Sequence, residues 1–280
     1  MAELWRELFL PEMGFLRYAM LLGLLLAPVL GVTGTMVVTR RISSLAGASA
    51  HAALGGIGLA LYLQRVLLWQ FCTPGLGAVA GALAAALIVG VVSLSASERE
   101  DTVIGVVWAL GMALGLLFLD RTPGYVDWQG YLFGNILLIS RTELVLAVLL
   151  DVLVLLPLVL FYNRLLAVSF DATFARLRGV RTTTIYLALL AETALVIVLL
   201  MNVVGIILVI AMLTLPAAIA GFFTRHLWSM MVASGVLSAC FIVCGLLMSY
   251  FCRVPSGPAI VVSAGAVYLA VLLARRKRRV

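Results

Sequence analysis

Residues 143–162 read ELVLAVLLDVLVLLPLVLFY. After Glu143 the only charged side chain is Asp151, and every position outside Glu143, Asp151, Pro157 and Tyr162 is Leu, Val, Ala or Phe. Twenty residues of α-helix rise about 30 Å, the thickness of bilayer hydrocarbon. Such a helix is apolar all round, and water is a poor solvent for it. The stretch predicts a membrane span.

The same reading repeats along the chain. Further spans are predicted at about 15–38, 44–63, 75–95, 102–119, 183–203, 205–222, 229–251 and 257–274, giving nine, with eight or ten also open. Only Val204-Gly205 separates the sixth and seventh, which form a tight hairpin or one broken helix. The 280 residues are 64% hydrophobic and 11% charged, with mean hydropathy +1.20, whereas a soluble domain carries about a quarter charged residues. No long polar block intervenes. The fold expected is all-α: a polytopic transmembrane helical bundle forming one membrane domain over 1–280. Glu3, Arg6, Glu7 and Glu12 before the first span do not read as a cleaved signal peptide, which has a basic n-region.

The net charge is +7, and 18 of the 19 basic residues are Arg; the single Lys is Lys277. A P-loop needs Gly-Lys-Ser/Thr, so this chain has none, and if ATP drives it another chain binds the nucleotide. Placing Arg275–Arg279 in the cytoplasm and alternating backwards puts 13 basic residues inside. They include Arg40, Arg41, Arg99, Arg164, Arg176, Arg178, Arg181 and Arg225. Arg6, Arg17, Arg65, Arg121, Arg141 and Arg253 fall outside. That bias follows the positive-inside rule, with the C-terminus in. Basic charge confined to short loops and a tail at 275–280 reads as membrane topology, not nucleic-acid binding.

Three polar connections stand out. Ser97-Glu98-Arg99-Glu100-Asp101 is a short inner turn. Residues 120–142, containing Tyr131-Leu132-Phe133-Gly134, lie outside. Residues 163–182 lie inside and hold a short amphipathic helix. Phe170, Phe174 and Leu177 share its apolar face at i, i+4, i+7, with Arg176 opposite. Asp171 suits the N-cap and Gly179 the stop.

These segments resemble, in order, the permease subunits of bacterial ABC importers for zinc, manganese and iron(II), the ABC-3 family. The likeness is carried by Arg40-Arg41-Ile42-Ser43 with Ala50-His51-Ala52, by Glu100-Asp101-Thr102-Val103-Ile104-Gly105, and by Tyr131 through Gly134. It continues through Val203–Val209, Leu215-Pro216-Ala217-Ala218 and Pro255-Ser256-Gly257-Pro258. The resemblance implies a bacterial inner-membrane permease that is not itself an enzyme and binds no cofactor. A separate ATPase would carry ATP, an extracytoplasmic metal-binding protein would deliver a divalent metal ion as substrate, and two copies would form a homodimer in membrane lipid. It further implies that Asp171, Phe174, Ala175, Arg176 and Gly179 dock the ATPase. The family places an Asp four residues before the histidine; this chain has Gly47.

His51 lies two turns into the second span. Ser44, Gly47, Ala48, His51, Gly55 and Gly58 form one stripe of mostly small residues, along which another helix can approach closely. His51 therefore faces protein or a translocation path, either as a hydrogen-bonded structural histidine or as a substrate contact. Zinc takes three or four protein ligands and manganese prefers oxygen, so one imidazole needs partners. Glu192 and Asp151, mid-span carboxyls, are candidates by default. Each is otherwise a neutral acid bonded inside the bundle. The candidate substrate and metal set is His51 and Glu192, with Gly47 beside the path.

His226 reads as a solvated helix end. Cys240 and Cys244 read as packing residues or soft ligands, and no CxxC motif occurs. Cys72 and Cys252 fall outside, where a disulfide is allowed. Gly205 and Pro216 interrupt the seventh span, which suits a transport path or an ordinary membrane helix. Two rivals remain open. One is a proton-driven secondary transporter using Glu192, Asp151 and His51; the other is an ABC permease for a chelated metal. No HExxH motif and no paired catalytic aspartates speak for a membrane enzyme.

Overall fold

A computed structural model describes residues 14–95, 100–125, 130, 132, 134 and 141–277. The readings placed on Glu3, Arg6, Glu7 and Glu12, on Ser97-Glu98-Arg99, on Tyr131 and Phe133, and on Arg278 and Arg279 lie outside the described residues. The described chain forms α1 (Gly14–Thr39), α2 (Ser43–Arg65), α3 (Pro74–Ser95), α4 (Glu100–Arg121) and α5 (Arg141–Phe170). These are followed by α6 (Ala172–Leu177), α7 (Thr182–Val204), α8 (Ile206–Phe223), α9 (Leu227–Cys252) and α10 (Ser256–Lys277). All but α6 are long and apolar enough to cross a membrane, nine spans among the described residues. Eight of the nine expected spans fall within one of them, and the seventh, 205–222, begins one residue before α8, at Gly205.

One boundary moves. Hydropathy drops at Asn163-Arg164, which reads as the start of a loop, yet α5 continues to Phe170. Leaving the hydrocarbon ends the apolar run but not the hydrogen-bonded ladder, so a helix can outlast its hydrophobic signal. The backbone does leave helical geometry at Phe161 (φ −116°, ψ 15°), four residues after Pro157. The Arg164 guanidinium lies 5.6 Å from the Phe161 ring centroid.

The chain divides into two compact units. The first comprises residues 1–38, 132–160 and 202–280. Within it, glycines let helices touch backbone to backbone: a Cβ on Gly31 of α1 would stand 2.6 Å from Gly235 N and from Met231 O of α9. Leu22, Met36, Ile206, Met212 and Leu246 are buried in its core. Gly205 (φ +84°) is the single residue between α7 and α8, a left-handed backbone that glycine adopts without steric cost. At the other end of α9, Arg253 takes φ +54° and Ser249 Oγ donates to Val254 O at 2.6 Å. Pro255 then opens α10, its carbonyl accepting from Ala259 N at 3.2 Å.

The second unit comprises residues 39–131 and 161–201. Its axis is α2, buried on nearly every face between α3 and α4. The Gly55–Gly58 stripe meets α4: a Cβ on Gly55 would stand 2.7 Å from Gly111 O, and one on Gly58 2.5 Å from Gly115 O. The stripe read from sequence is therefore a helix-packing face. On the opposite side, Gly56 meets Gly77 and Ala52 meets Gly81 on α3. Close backbone approach replaces side-chain interdigitation here, as expected where lipid supplies no hydrophobic drive between helices.

Outward faces are apolar. Val145, Leu149, Val152, Leu156, Val159 and Leu160 of α5 are all exposed. Water would not tolerate a contiguous patch of that kind, and a bilayer solvates it.

Candidate functional site

His51 is half-buried on α2 and faces α4. Its imidazole stacks on the Trp108 indole, with centroids 5.0 Å apart and planes inclined by 26°. Nδ1 is buried and has no hydrogen-bond partner. Gly47, one turn earlier on the same face, lies directly against Trp108: a Cβ there would meet Cζ3 and Cη2 of the indole, with Cε3 at 3.0 Å. The absent side chain at 47 and the indole at 108 thus occupy complementary space.

Glu192 is half-buried on α7, in the same unit as His51. It makes no hydrogen bond to Nδ1, which is unbonded. Asp151 belongs to the other unit, where its Oδ1 is also buried and unpartnered. Among the described residues, no group of three or more His, Cys, Asp or Glu side chains could hold a metal ion. His51 offers a ring nitrogen as ligand or proton acceptor, and its immediate neighbour is an aromatic plate. Sequence reasoning misses Trp108. Its signal is its depth: Trp concentrates at membrane–water interfaces, whereas this one sits eight residues into a span.

Cys240, Cys244 and Cys252 are exposed free thiols, and Cys72 is a half-buried one. His226 is the exposed N-cap residue of α9, with no side-chain cap bond; its carbonyl accepts from Ser229 Oγ at 2.8 Å.

The second feature is α6 and its surroundings. Asp171 Oδ1 accepts from Phe174 N–H at 2.8 Å, an N-cap as expected. Gly179 stops the segment at φ +77°. Phe170, Phe174 and Leu177 are 68%, 51% and 83% exposed, while Ala175 is 1% exposed and seats the helix. The amphipathicity is inverted: the apolar face looks outward. Arg176 lines a cleft of about 330 Å³ together with Arg40, Ser93 and Tyr186. Arg40 Nη1 donates to Val168 O at 2.7 Å and its guanidinium lies over the Tyr186 ring at 5.3 Å. The Tyr186 hydroxyl is 3.2 Å from Ser93 Oγ.

A polytopic helical membrane protein with a short capped helix between two spans is the class that this fold defines. The ABC 3 transport family profile matches residues 12–275, and the chain belongs to that family. It is 41% identical to an uncharacterized membrane protein of Synechocystis, over 94% of this chain and 91% of that one. It is 30% identical to the manganese transport system membrane protein MntC of Listeria innocua, over 94% of this chain and 92% of that one. Among solved structures, PsaBC from Streptococcus pneumoniae, in complex with Fab, superposes with a TM-score of 0.81 at 30% identity. The match covers 96% of this chain and 94% of that chain.

Proposed function

We propose that this chain is the membrane-spanning permease subunit of an ATP-binding-cassette importer for divalent metal ions. The observation that carries the reading is α6. A six-residue helix between two spans, capped by Asp171 and seated on Ala175, presents Phe174 and Leu177 outward, beside the exposed Phe170 at the end of α5. An exposed apolar patch of this kind marks an interaction surface. The chain has no P-loop, so the nucleotide-binding partner is a separate ATPase subunit. The likeness to a Listeria manganese transport system membrane protein supports a metal cargo.

In this reading α6 docks the ATPase through Phe174 and Arg176, with Asp171 and Gly179 fixing the ends of the helix. Two copies form a homodimer in the bacterial inner membrane, each chain acting as one permease domain with its C-terminus in the cytoplasm. A metal-binding protein delivers cargo at residues 65–75 and 120–142. Closure of the ATPases tilts spans as rigid bodies to alternate access. His51 contacts the cargo, and Glu192 serves the same path.

Replacing Phe174 and Arg176 with Ala tests the docking. The ATPase is expected to stop co-purifying and to lose stimulation by the permease, with the level of this chain unchanged. Co-purification of a fully stimulated ATPase with the double variant would remove α6 from the interface.

A further inference from the structure

Two arginines far apart in sequence line one cleft of about 330 Å³ in the second unit. Arg40 comes from the turn before α2 and Arg176 from α6, and Ser93, Thr182, Thr183 and Tyr186 share the wall. Arg40 is fixed in place by the Val168 carbonyl at 2.7 Å and by the Tyr186 ring at 5.3 Å. Neither contact neutralises it. Among the described residues neither guanidinium has a carboxylate partner. Asp171, the acid nearest to Arg176 in the chain, turns its Oδ1 to the Phe174 N–H instead. Two like charges facing one small cleft repel, and an anion between them offsets that cost. The Tyr186 hydroxyl and Ser93 Oγ are 3.2 Å apart, so one of their two protons remains for a further acceptor. Thr182 and Thr183 add two hydroxyls where α7 begins. Guanidinium forks together with hydroxyls match the oxygens of a phosphate.

The rim of the cleft indicates what carries that phosphate. Leu94 lines the cleft and is exposed, and with Leu87 and Val91 it forms an exposed stripe of α3 at i, i+4, i+7. The membrane span of α3 ends at Leu94, so the cleft lies at the depth of lipid headgroups. A free phosphate or a protein carboxylate would satisfy the arginines and leave the stripe unused. Basic pockets among the ends of membrane helices hold anionic lipid headgroups.

We propose that this cleft binds the phosphate of an anionic phospholipid, with the acyl chains laid along Leu87, Val91 and Leu94. The phosphate bridges Arg40 at the base of α2 and Arg176 on α6, and so clamps α6 to the spans beside it. The site requires only that the chain crosses a bilayer, and stands apart from the importer reading.

The test uses the purified full chain in neutral detergent, with any co-purifying ATPase left in place. Native mass spectrometry reads the binding of dioctanoyl phosphatidylglycerol, of dioctanoylglycerol, which has the chains without the phosphate, and of inorganic phosphate, which has no chains. The phospholipid is expected to bind more tightly than either of the others. Arg176→Ala removes charge-assisted hydrogen bonds and should weaken phospholipid binding roughly tenfold. Arg40→Ala should do the same. Arg40 also holds Val168, so the exposed Arg176 keeps the test decisive if Arg40→Ala fails to fold. Arg178→Ala makes the same change in charge, but that guanidinium lies over the Phe174 ring at 5.2 Å, and binding should be unaltered. Leu94→Ser should weaken the phospholipid and leave inorganic phosphate unaffected. Bound phospholipid should also slow amide hydrogen exchange over residues 172–177 in wild type and not in Arg176→Ala.

Inorganic phosphate binding as tightly as the phospholipid would make this a free-phosphate site and overturn the proposal. Unchanged binding in Arg176→Ala, or an equal loss in Arg178→Ala, would reduce the effect to diffuse charge. Loss of the phospholipid whenever the ATPase is bound would also overturn it, and would give the cleft to a carboxylate of that partner.

Discussion

Gly56→Ala places one methyl group at the crossing of α2 and α3. The new Cβ would meet the Gly77 carbonyl oxygen, with the carbonyl carbon at 2.7 Å and Gly81 N at 3.2 Å. Ordinary van der Waals contact begins at 3.4 Å, so the neighbouring backbone must retreat by about 0.7 Å from the carbonyl carbon alone, a case of overpacking. No side chain can rotate away, because every atom in the contact is main chain. Overpacking of this kind costs about 1–3 kcal/mol. For chains approaching this size each kcal/mol lowers Tm by roughly 2–4 °C, so a fall of about 2–12 °C is expected. Gly105→Ala is the matched control: nothing lies within 4 Å of its Cβ position. There, exchanging glycine for alanine in a helix favours the fold by up to about 1 kcal/mol. Thermal unfolding of both variants in the same detergent, followed by intrinsic fluorescence, reads the contrast. Equal shifts, or a Gly56→Ala protein as stable as wild type, would show that the crossing tolerates a side chain and that main-chain contact does not hold α2 against α3. Gly56→Ala and Gly77→Ala share one contact and should combine less than additively.

Asp171→Ala removes the N-cap of α6 and should weaken that helix by about 1 kcal/mol, read as roughly fivefold faster amide hydrogen exchange over residues 172–177. Asp171→Asn should keep most of the protection; equal loss in both variants would show that the cap bond to Phe174 is immaterial. His51→Ala should sharply reduce metal uptake at unchanged protein level, and normal uptake would exclude His51 from the path. Glu192→Gln preserves shape and removes the ionisable group. Reduced uptake at constant protein level is expected, and unaltered uptake would assign Glu192 to the packing of α7.

The spans were legible because one physical quantity, apolar length against bilayer thickness, decides them. The helix-packing stripe on α2 was legible because glycine at steps of three and four clears one side of a helix of side chains, and such a side is where a second backbone can come close. Asp171 and Gly179 announced the ends of α6 by their backbone chemistry. The end of α5 was not legible, since hydropathy reports the hydrocarbon boundary and Phe170 lies beyond it. Nor was the pairing of Gly47 with Trp108. They are 61 positions apart, and nothing in either local sequence states which helix the Gly47 face will meet. The missing carboxylate was visible as an absence; what fills its place required the fold. Glu192 was singled out by the cost of burying a carboxylate, a rule that marks a residue without locating its neighbour.

Arg40 has a mechanical consequence. It stands in the turn between α1 and α2 and bonds to Val168, near the end of α5, while lying over Tyr186 of α7. Tyr186 in turn reaches Ser93 on α3. Arg176 of α6 borders the same cleft. The ends of several helices are therefore knotted together at the foot of α2, next to α6. An α-helix resists compression, and His51 sits eight residues above Ser43, about 12 Å along that rod. A push delivered at α6 would enter through this knot and arrive at the imidazole as a displacement of the whole shaft, as a crank moves a piston, without side-chain rearrangements having to pass from one neighbour to the next.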